Sequence, residues 1–469
     1  MTVPQTLSDR ILAECTMRQQ AYTELGKLCD SVGGRMSGTE SGKRGEQWAF
    51  DLLNSFALDS VWREEFPVLA WERGELVATV TSPASWKLTA LAHGYAPEHA
   101  DVCAPVFSIG HGDLPDYEAA GDAVKGRILL CDEGVTAGRR GLHRSEKLRM
   151  AAEHGALGLM IYSSASGGLP RTGTCANGPA PIPGLGISQE DGLRLLRLSQ
   201  GIKAVEDLPV VKIAMSNRFT PSTASNIIGE LTGTNPNEYI LAGAHLDSWD
   251  VAQGATDNGL GSAIVLEMAR SLAVLGQRPS RSIRFAIWAA EEIGLCGSRN
   301  YVAQRSGGAD LPSAVLNFDM TTDPYGYWAP KPNAFELAQA AGFAALREVA
   351  LQLSGIGMKQ EFVHKAGLHS DHQPFMLEGV QVIALLAQSS TQGGHYYHSV
   401  GDTFDKVSLP AFTRAAVVGA HTAWALADLA TQPFPQYSTR QVRALIDEAD
   451  LFAALKADDY DGPPMRIQA

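Results

Sequence analysis

Three apolar runs, each stopping at an acid or a histidine, constrain this chain more than any other feature. Tyr239-Ile240-Leu241-Ala242-Gly243-Ala244 leads into His245 and Asp247. Ile283-Arg284-Phe285-Ala286-Ile287-Trp288-Ala289-Ala290 leads into Glu291 and Glu292, and Ala314-Val315-Leu316-Asn317-Phe318 into Asp319. Short continuous apolar runs of this kind read as buried strands. In open α/β sheets, ligands bind outside the carboxyl ends of the strands. Three strands ending in His, Asp or Glu therefore predict one metal-binding crevice. A Gly-containing loop after the first run brings Asp257 and Asn258 to the start of a helical pattern.

The alternation around these runs predicts an α/β fold, a mixed but mostly parallel sheet flanked by helices, with a β-rich domain inserted into it. Strands are expected at 226–231, 238–244, 283–290, 314–319 and 381–387. Helices are expected at 260–275, 333–354, 408–431 and 438–455. Upstream, one amphipathic helix is expected from Ser8 to about Gly33 and another from Lys43 to Phe56, with strands at 62–66 and 76–82. Between about 83 and 221 Gly and Pro become denser, and short strands at 127–131 and 157–162 flank a helix at 145–154. The expected division is 1–82 and 222–435 for the main domain, 83–221 for the insert, and 436–469 for a terminal helix and tail.

Composition narrows the functional classes. A formal net charge of −13 argues against a nucleic-acid partner, which needs a basic face. No run approaches the roughly 18 apolar residues of a membrane span. The opening MTVPQTLSDR shows no basic stretch followed by an apolar core, so the expected location is cytoplasmic, or secreted if a leader was removed. The six cysteines form no C-x-x-C pair.

His245, Asp257, Glu292, Asp319 and His398 supply only nitrogen and oxygen donors. Imidazole with carboxylate suits zinc, with cobalt or manganese as substitutes. Three carboxylates exceed the charge of one dication and are balanced by two dications and a hydroxide. A bridging carboxylate would hold such a pair roughly 3.5–4 Å apart. Each residue also has a plainer reading: His-x-Asp as a hydrogen-bonded pair, adjacent glutamates on a solvated face, Asp319 as a helix cap. The residues alone leave Glu291 and Glu292 interchangeable. The chain contains neither a G-x-S-x-G elbow nor H-E-x-x-H, which speaks against serine hydrolases and zincins.

Taken in order, His245-Leu246-Asp247, Thr256-Asp257-Asn258-Gly259, Glu291 to Ser298, Asn317-Phe318-Asp319-Met320 and Tyr397 to Thr403 resemble the motifs of the co-catalytic zinc aminopeptidase family. That family includes bacterial leucyl aminopeptidases and glutamate carboxypeptidases, and the layout is most similar to the plasma glutamate carboxypeptidase type, a dipeptidase. The insert resembles a protease-associated domain. The resemblance implies that Asp257 bridges two zinc ions, one completed by His245 and Asp319, the other by Glu292 and His398. It implies Glu291 as general base, Asp247 as the carboxylate orienting His245, and a cis peptide at Asp257–Asn258.

Other residues enter as expectations. His395 is an alternative to His398, and Ser370-Asp371-His372 is either part of the pocket or a capped helix start. Asp402-Thr403 is expected to brace the His398 loop, and Tyr396 and Tyr397 to line the pocket, assist the oxyanion or pack as buried aromatics. The basic group Arg139, Arg140, Arg144, Lys147 and Arg149 either reaches a substrate carboxylate or forms a solvated helix face. The implied function is a di-zinc exopeptidase that hydrolyses the N-terminal bond of dipeptides or short peptides through a metal-bridging hydroxide. The alternative is an amidase for N-acyl amino acids or other non-peptide amides on the same centre. A noncatalytic binding protein is disfavoured because every ligand position keeps a coordinating side chain. A homodimer is among the expected partners.

Overall fold

The computed structural model describes residues 3–202, 204–306, 310–332, 340–387, 391–458, 460 and 462. Its main sheet has eight strands. In spatial order they are Ser60–Glu72, Arg218–Leu231, Arg281–Trp288, Asn235–His245, Ala314–Asn317, Val382–Ala387, Pro324–Trp328 and Phe362–Val363. The four from Arg281–Trp288 to Val382–Ala387 are parallel, and antiparallel strands extend both sides. The chain leaves Asn235–His245 for the strand on one side and returns to the strand on the other. The topological switch point, where a crevice opens, therefore lies at the carboxyl end bearing His245.

Strand geometry explains why the apolar runs are continuous. Ile240, Ala242 and Ala244 enter one core with the helices Gln5–Met17, Ala21–Ser31, Leu260–Val274, Ala341–Gln352 and Leu409–Ala427. Tyr239 and Leu241 enter the other, against Cys296–Ala303, His372–Leu377 and Thr439–Glu448. Successive side chains point to opposite faces, so a strand covered on both must be apolar throughout.

Two expected helices are each divided. The first breaks between Met17 and Ala21, where the buried carboxylate of Glu267 accepts from the amides of Gln20 and Ala21 at 2.9 and 3.1 Å and so starts the second helix. The last breaks at Ala449 to Leu451 into Thr439–Glu448 and Phe452–Ala457, with Asp450 at φ 59° and its carbonyl accepting from Arg140. The helix expected at 333–354 is observed as Ala341–Gln352, and 333–339 lies outside the described residues.

A second eight-stranded sheet spans Leu76–Ser82 to Val210–Ser216, so it begins ahead of residue 83. Its strands His99–Ser108, Ile128–Asp132, Gly158–Tyr162 and Gly184–Ile187 are parallel neighbours. The helices Arg144–Glu153 and Gln189–Ser199 belong to the same unit. The two units meet closely: a Cβ on Gly94 would lie 2.0 Å from the ring of Trp249, so only glycine fits there. No helix among the described residues is long and apolar enough to cross a membrane.

Candidate metal centre

The switch point collects the expected donors. His245 ends its strand, and Glu291 and Glu292 follow Arg281–Trp288 after a turn at Ala290, φ 62°. Asp319 lies two residues beyond Ala314–Asn317. Asp257 sits in the turn Ala255–Gly259 before Leu260–Val274, and its peptide bond to Asn258 is cis, as the resemblance implied. His398 arrives from the loop after Thr391–Tyr396. Donor atoms of His245, Glu291 and Asp319 form one group, and those of Asp257, Glu292 and His398 another.

Asp257 lies between the groups. Its Oδ1 is 3.4 Å from His245 Nε2 and its Oδ2 is 3.0 Å from His398 Nε2. His245 Nε2 is 3.6 Å from Asp319 Oδ1, and His398 Nε2 is 3.2 Å from Glu292 Oε2. Glu291 Oε2 is more distant, 4.0 Å from His245 Nε2.

Surrounding groups fix these side chains. His245 Nδ1 lies 3.0 Å from the backbone carbonyl of Asp247, nearer than the 3.7 Å to its carboxylate. That carboxylate instead accepts from the amides of Glu291 and Glu292 at 3.1 and 3.2 Å. Asp247 thus ties two strand ends together and meets His245 through its main chain. Asp402 likewise does more than brace its own loop, because it accepts from the Thr256 amide and hydroxyl at 2.7 and 2.5 Å and from the Asp257 amide at 3.1 Å. Ser370 donates to Asp319 Oδ2 at 2.7 Å and accepts from Asn317 at 2.8 Å, and Asp371 makes no side-chain cap.

Several contributors carry no sequence signal. Trp249 Nε1 donates to Glu292 Oε2 at 2.6 Å. From the insert, the Thr174 hydroxyl donates to the carbonyl of Glu292 at 2.5 Å. Arg35, wholly buried, donates to the carbonyls of Leu246, Gln253 and Gly254 at 2.6–2.9 Å and so holds the loop between His245 and Asp257.

The electrostatics ask for cations. Glu292 Oε1 is buried with no hydrogen-bond partner, and no Lys or Arg among the described residues pairs with Asp257, Glu291, Glu292 or Asp319. Burial alone would lower the His398 ring, yet the carboxylates of Glu292 and Asp257 lift it to about 9. His245 is likewise opposed by burial and drawn well above its usual value by Glu291, Asp247, Asp257 and Asp319. Burial first, then Glu292 and Asp319, drive Glu291 well above the ordinary carboxylate range. An orphaned carboxylate oxygen and an all-N/O donor set fit zinc.

The remaining expectations sort themselves by position. His395 packs edge-on against Tyr396 and belongs to neither donor group. Tyr397 stacks on His398 with centroids 3.7 Å apart and lines the cavity beside the donors. That cavity, about 470 Å³, is also lined by Arg144, Thr174 and Asn177 of the insert. Arg140 and Arg149 are engaged by Glu146 and Glu153.

A switch-point crevice with this donor set, roofed by an inserted domain, is arranged to hold metal ions. Residues 226–423 match peptidase family M28, and residues 87–195 match the PA domain. Carboxypeptidase Q of Bos taurus is 30% identical over 423 residues, covering 88% of this chain and 86% of that protein. Aminopeptidase YwaD of Bacillus subtilis (strain 168) is 31% identical over 307 residues, covering 64% and 61%. Among solved structures, a peptidase M28 precursor from Shewanella amazonensis SB2B matches with a TM-score of 0.79 and 25% identity, over 92% of this chain and 99% of that one. BSAP, a zinc aminopeptidase from Bacillus subtilis, shares the fold with a TM-score of 0.65 at 24% identity, over 89% and 98%. The chain belongs to peptidase family M28 and is a metallopeptidase with an inserted PA domain.

Proposed function

We propose that the protein is an exopeptidase that holds two zinc ions and removes the N-terminal residue of a dipeptide or short peptide. The observation that carries this reading is Asp257, whose two carboxylate oxygens face different histidines. It supports Asp257 as a shared ligand, with His245 and Asp319 completing one site and Glu292 and His398 the other. Bound there, zinc would polarise the scissile carbonyl and acidify a water molecule.

The chain's own groups then do the rest. Glu291 stands beside the donors and farther from His245 than Asp257 or Asp319. A carboxyl group whose burial raises its proton affinity suits taking a proton from water and handing it to the leaving amine. Asp247 holds Glu291 and Glu292 through their amides, which fixes base and ligand relative to one another. Arg144, Thr174 and Asn177 narrow the cleft from the insert side, which favours short substrates over folded chains. Aminopeptidase YwaD by name acts at the amino end and carboxypeptidase Q at the carboxyl end, and in a dipeptide both ends flank the same bond.

Metal analysis combined with a panel of free and N-blocked dipeptides tests it. About two zinc ions per chain and cleavage that requires a free amine are expected. Faster hydrolysis of blocked substrates would instead favour the amidase reading.

A further inference from the structure

The insert is joined to the main domain by two chain connections that lie side by side. The chain enters it after Ser60–Glu72 and leaves it ahead of Arg218–Leu231, and these strands pair with Glu72 opposite Arg218. The Gly74 amide donates to the side-chain carbonyl of Asn217 at 3.2 Å, which ties the two connections together. Two adjacent connections form a hinge, and the softest motion they leave the insert is a swing about that line. Contacts away from the hinge must then fix the insert over the metal centre.

The last helices of the chain supply such contacts. Thr439–Glu448 packs into the main core through Val442, Leu445 and Ile446, and the break at Ala449 to Leu451 turns the chain toward the insert. The next helix, Phe452–Ala457, packs on the insert helix Arg144–Glu153, while its fully buried Leu455 stays in the main core. Two arginines of the insert reach across to this segment. Arg140 donates to the Asp450 carbonyl at 2.9 Å, and Arg149 to the Lys456 carbonyl at 3.1 Å. Just beyond, Asp458 lines the main cavity with its Oδ2 3.7 Å from His369 Nδ1, and His369 stacks on His143 of the insert with centroids 4.4 Å apart. The insert helix gripped in this way is the one that presents His143, Arg144 and Ser145 to the cavity from its first turn. The segment lies outside both regions matched to family models.

We propose that residues 439–458 form a strap that holds the insert down over the metal centre and thereby sets the length of peptide the cleft admits. The length selection rests on the exopeptidase reading, whereas the bracing does not. Two full-length variants release opposite sides of the strap. Arg149→Met removes a donor on the insert, and Leu455→Ala loosens the anchor in the main core. Hydrogen exchange of the Thr172 amide, which donates to the His398 carbonyl across the junction, is expected to quicken about tenfold in both. In the zinc-loaded protein, kcat/KM is compared for a dipeptide and a hexapeptide that share their first two residues. The hexapeptide-to-dipeptide ratio is expected to rise about tenfold in both variants, with the loss on the dipeptide carried by KM. A general folding defect would lower both substrates alike. Unchanged Thr172 exchange in either variant, or an unchanged ratio, overturns the proposal. Should Leu455→Ala fail to fold, Phe452→Ala, half-buried against the same core, carries that arm. A protein that hydrolyses no peptide still reports through Thr172, so the two readings fail separately.

Discussion

Thr172 and His398 clasp one another across the junction of the two units. The Thr172 amide donates to the His398 carbonyl at 2.9 Å, and His398 Nδ1 faces the Thr172 carbonyl at 3.3 Å. A hydrogen bond on the far ring nitrogen sets which nitrogen of a histidine is free to ligate. In this chain that contact comes from the insert, so the insert helps to orient the candidate donor His398.

The indole of Trp249 acts on Glu292, another candidate donor of the same group. Trp249→Phe keeps an aromatic ring and removes the donor to Glu292. Zinc affinity is expected to fall by about 10–100-fold, read by competition with a chromophoric chelator. Unchanged affinity would remove Trp249 from this role.

Removing the candidate base separates binding from turnover. Glu291→Gln is expected to retain its zinc while kcat falls by roughly 10²–10⁴-fold. Metal content and steady-state kinetics on one preparation check both halves, and retained turnover rules Glu291 out as the base.

The two donor groups make distinct predictions for metal content. His245→Ala and His398→Ala are each expected to bind about one zinc ion per chain where the parent binds about two. A parent that takes up a single ion refutes the paired arrangement.

Glu46 tests the packing behind the centre, where Asp247 is among its charged neighbours. It is 6% exposed, and burial raises its carboxyl from the usual 4.5 to about 7. The folded state therefore holds this proton more tightly than the unfolded one. Its contribution is fully present below about pH 4.5 and is lost as pH rises through about 7. Glu46→Gln should match the parent near pH 4 and exceed it near pH 8, by on the order of 3 kcal/mol. Unfolding midpoints across that range decide the matter, and a constant difference contradicts it.

Glu267 is fully buried and serves both the amides of Gln20 and Ala21 and the guanidinium of Arg270. Glu267→Ala leaves that guanidinium with Glu14 alone among its carboxylate partners. A loss of about 3–5 kcal/mol is expected in denaturant unfolding, the range for breaking a buried pair.

Three of the five candidate donors show plainly in the sequence because each follows an apolar run, and a strand buried on both faces announces its own end. His245, Glu292 and Asp319 are legible for that reason, and Asp257 through its loop. Trp249, Thr172, Thr174 and Arg35 were not, since each acts through one bond to a residue distant in the chain, a relation that leaves no periodic trace. The split first helix is similar: apolar spacing runs on through Arg18 to Gln20, and only Glu267, some 250 positions away, ends it. Asp247 stands out in the sequence beside His245, but its grip on the Glu291 and Glu292 amides exists only where two strands stand side by side.

The seam at Gly94 and Thr174 has a bearing on how such proteins diversify. A roof that presses glycine against Trp249 and hydrogen-bonds the chain at Glu292 is not an interchangeable module. Grafting one from a distant cousin would require the recipient's tryptophan loop to change in the same step. Lineages of this architecture should therefore inherit both segments as a pair, and laboratory chimeras should succeed only when the cut leaves them together.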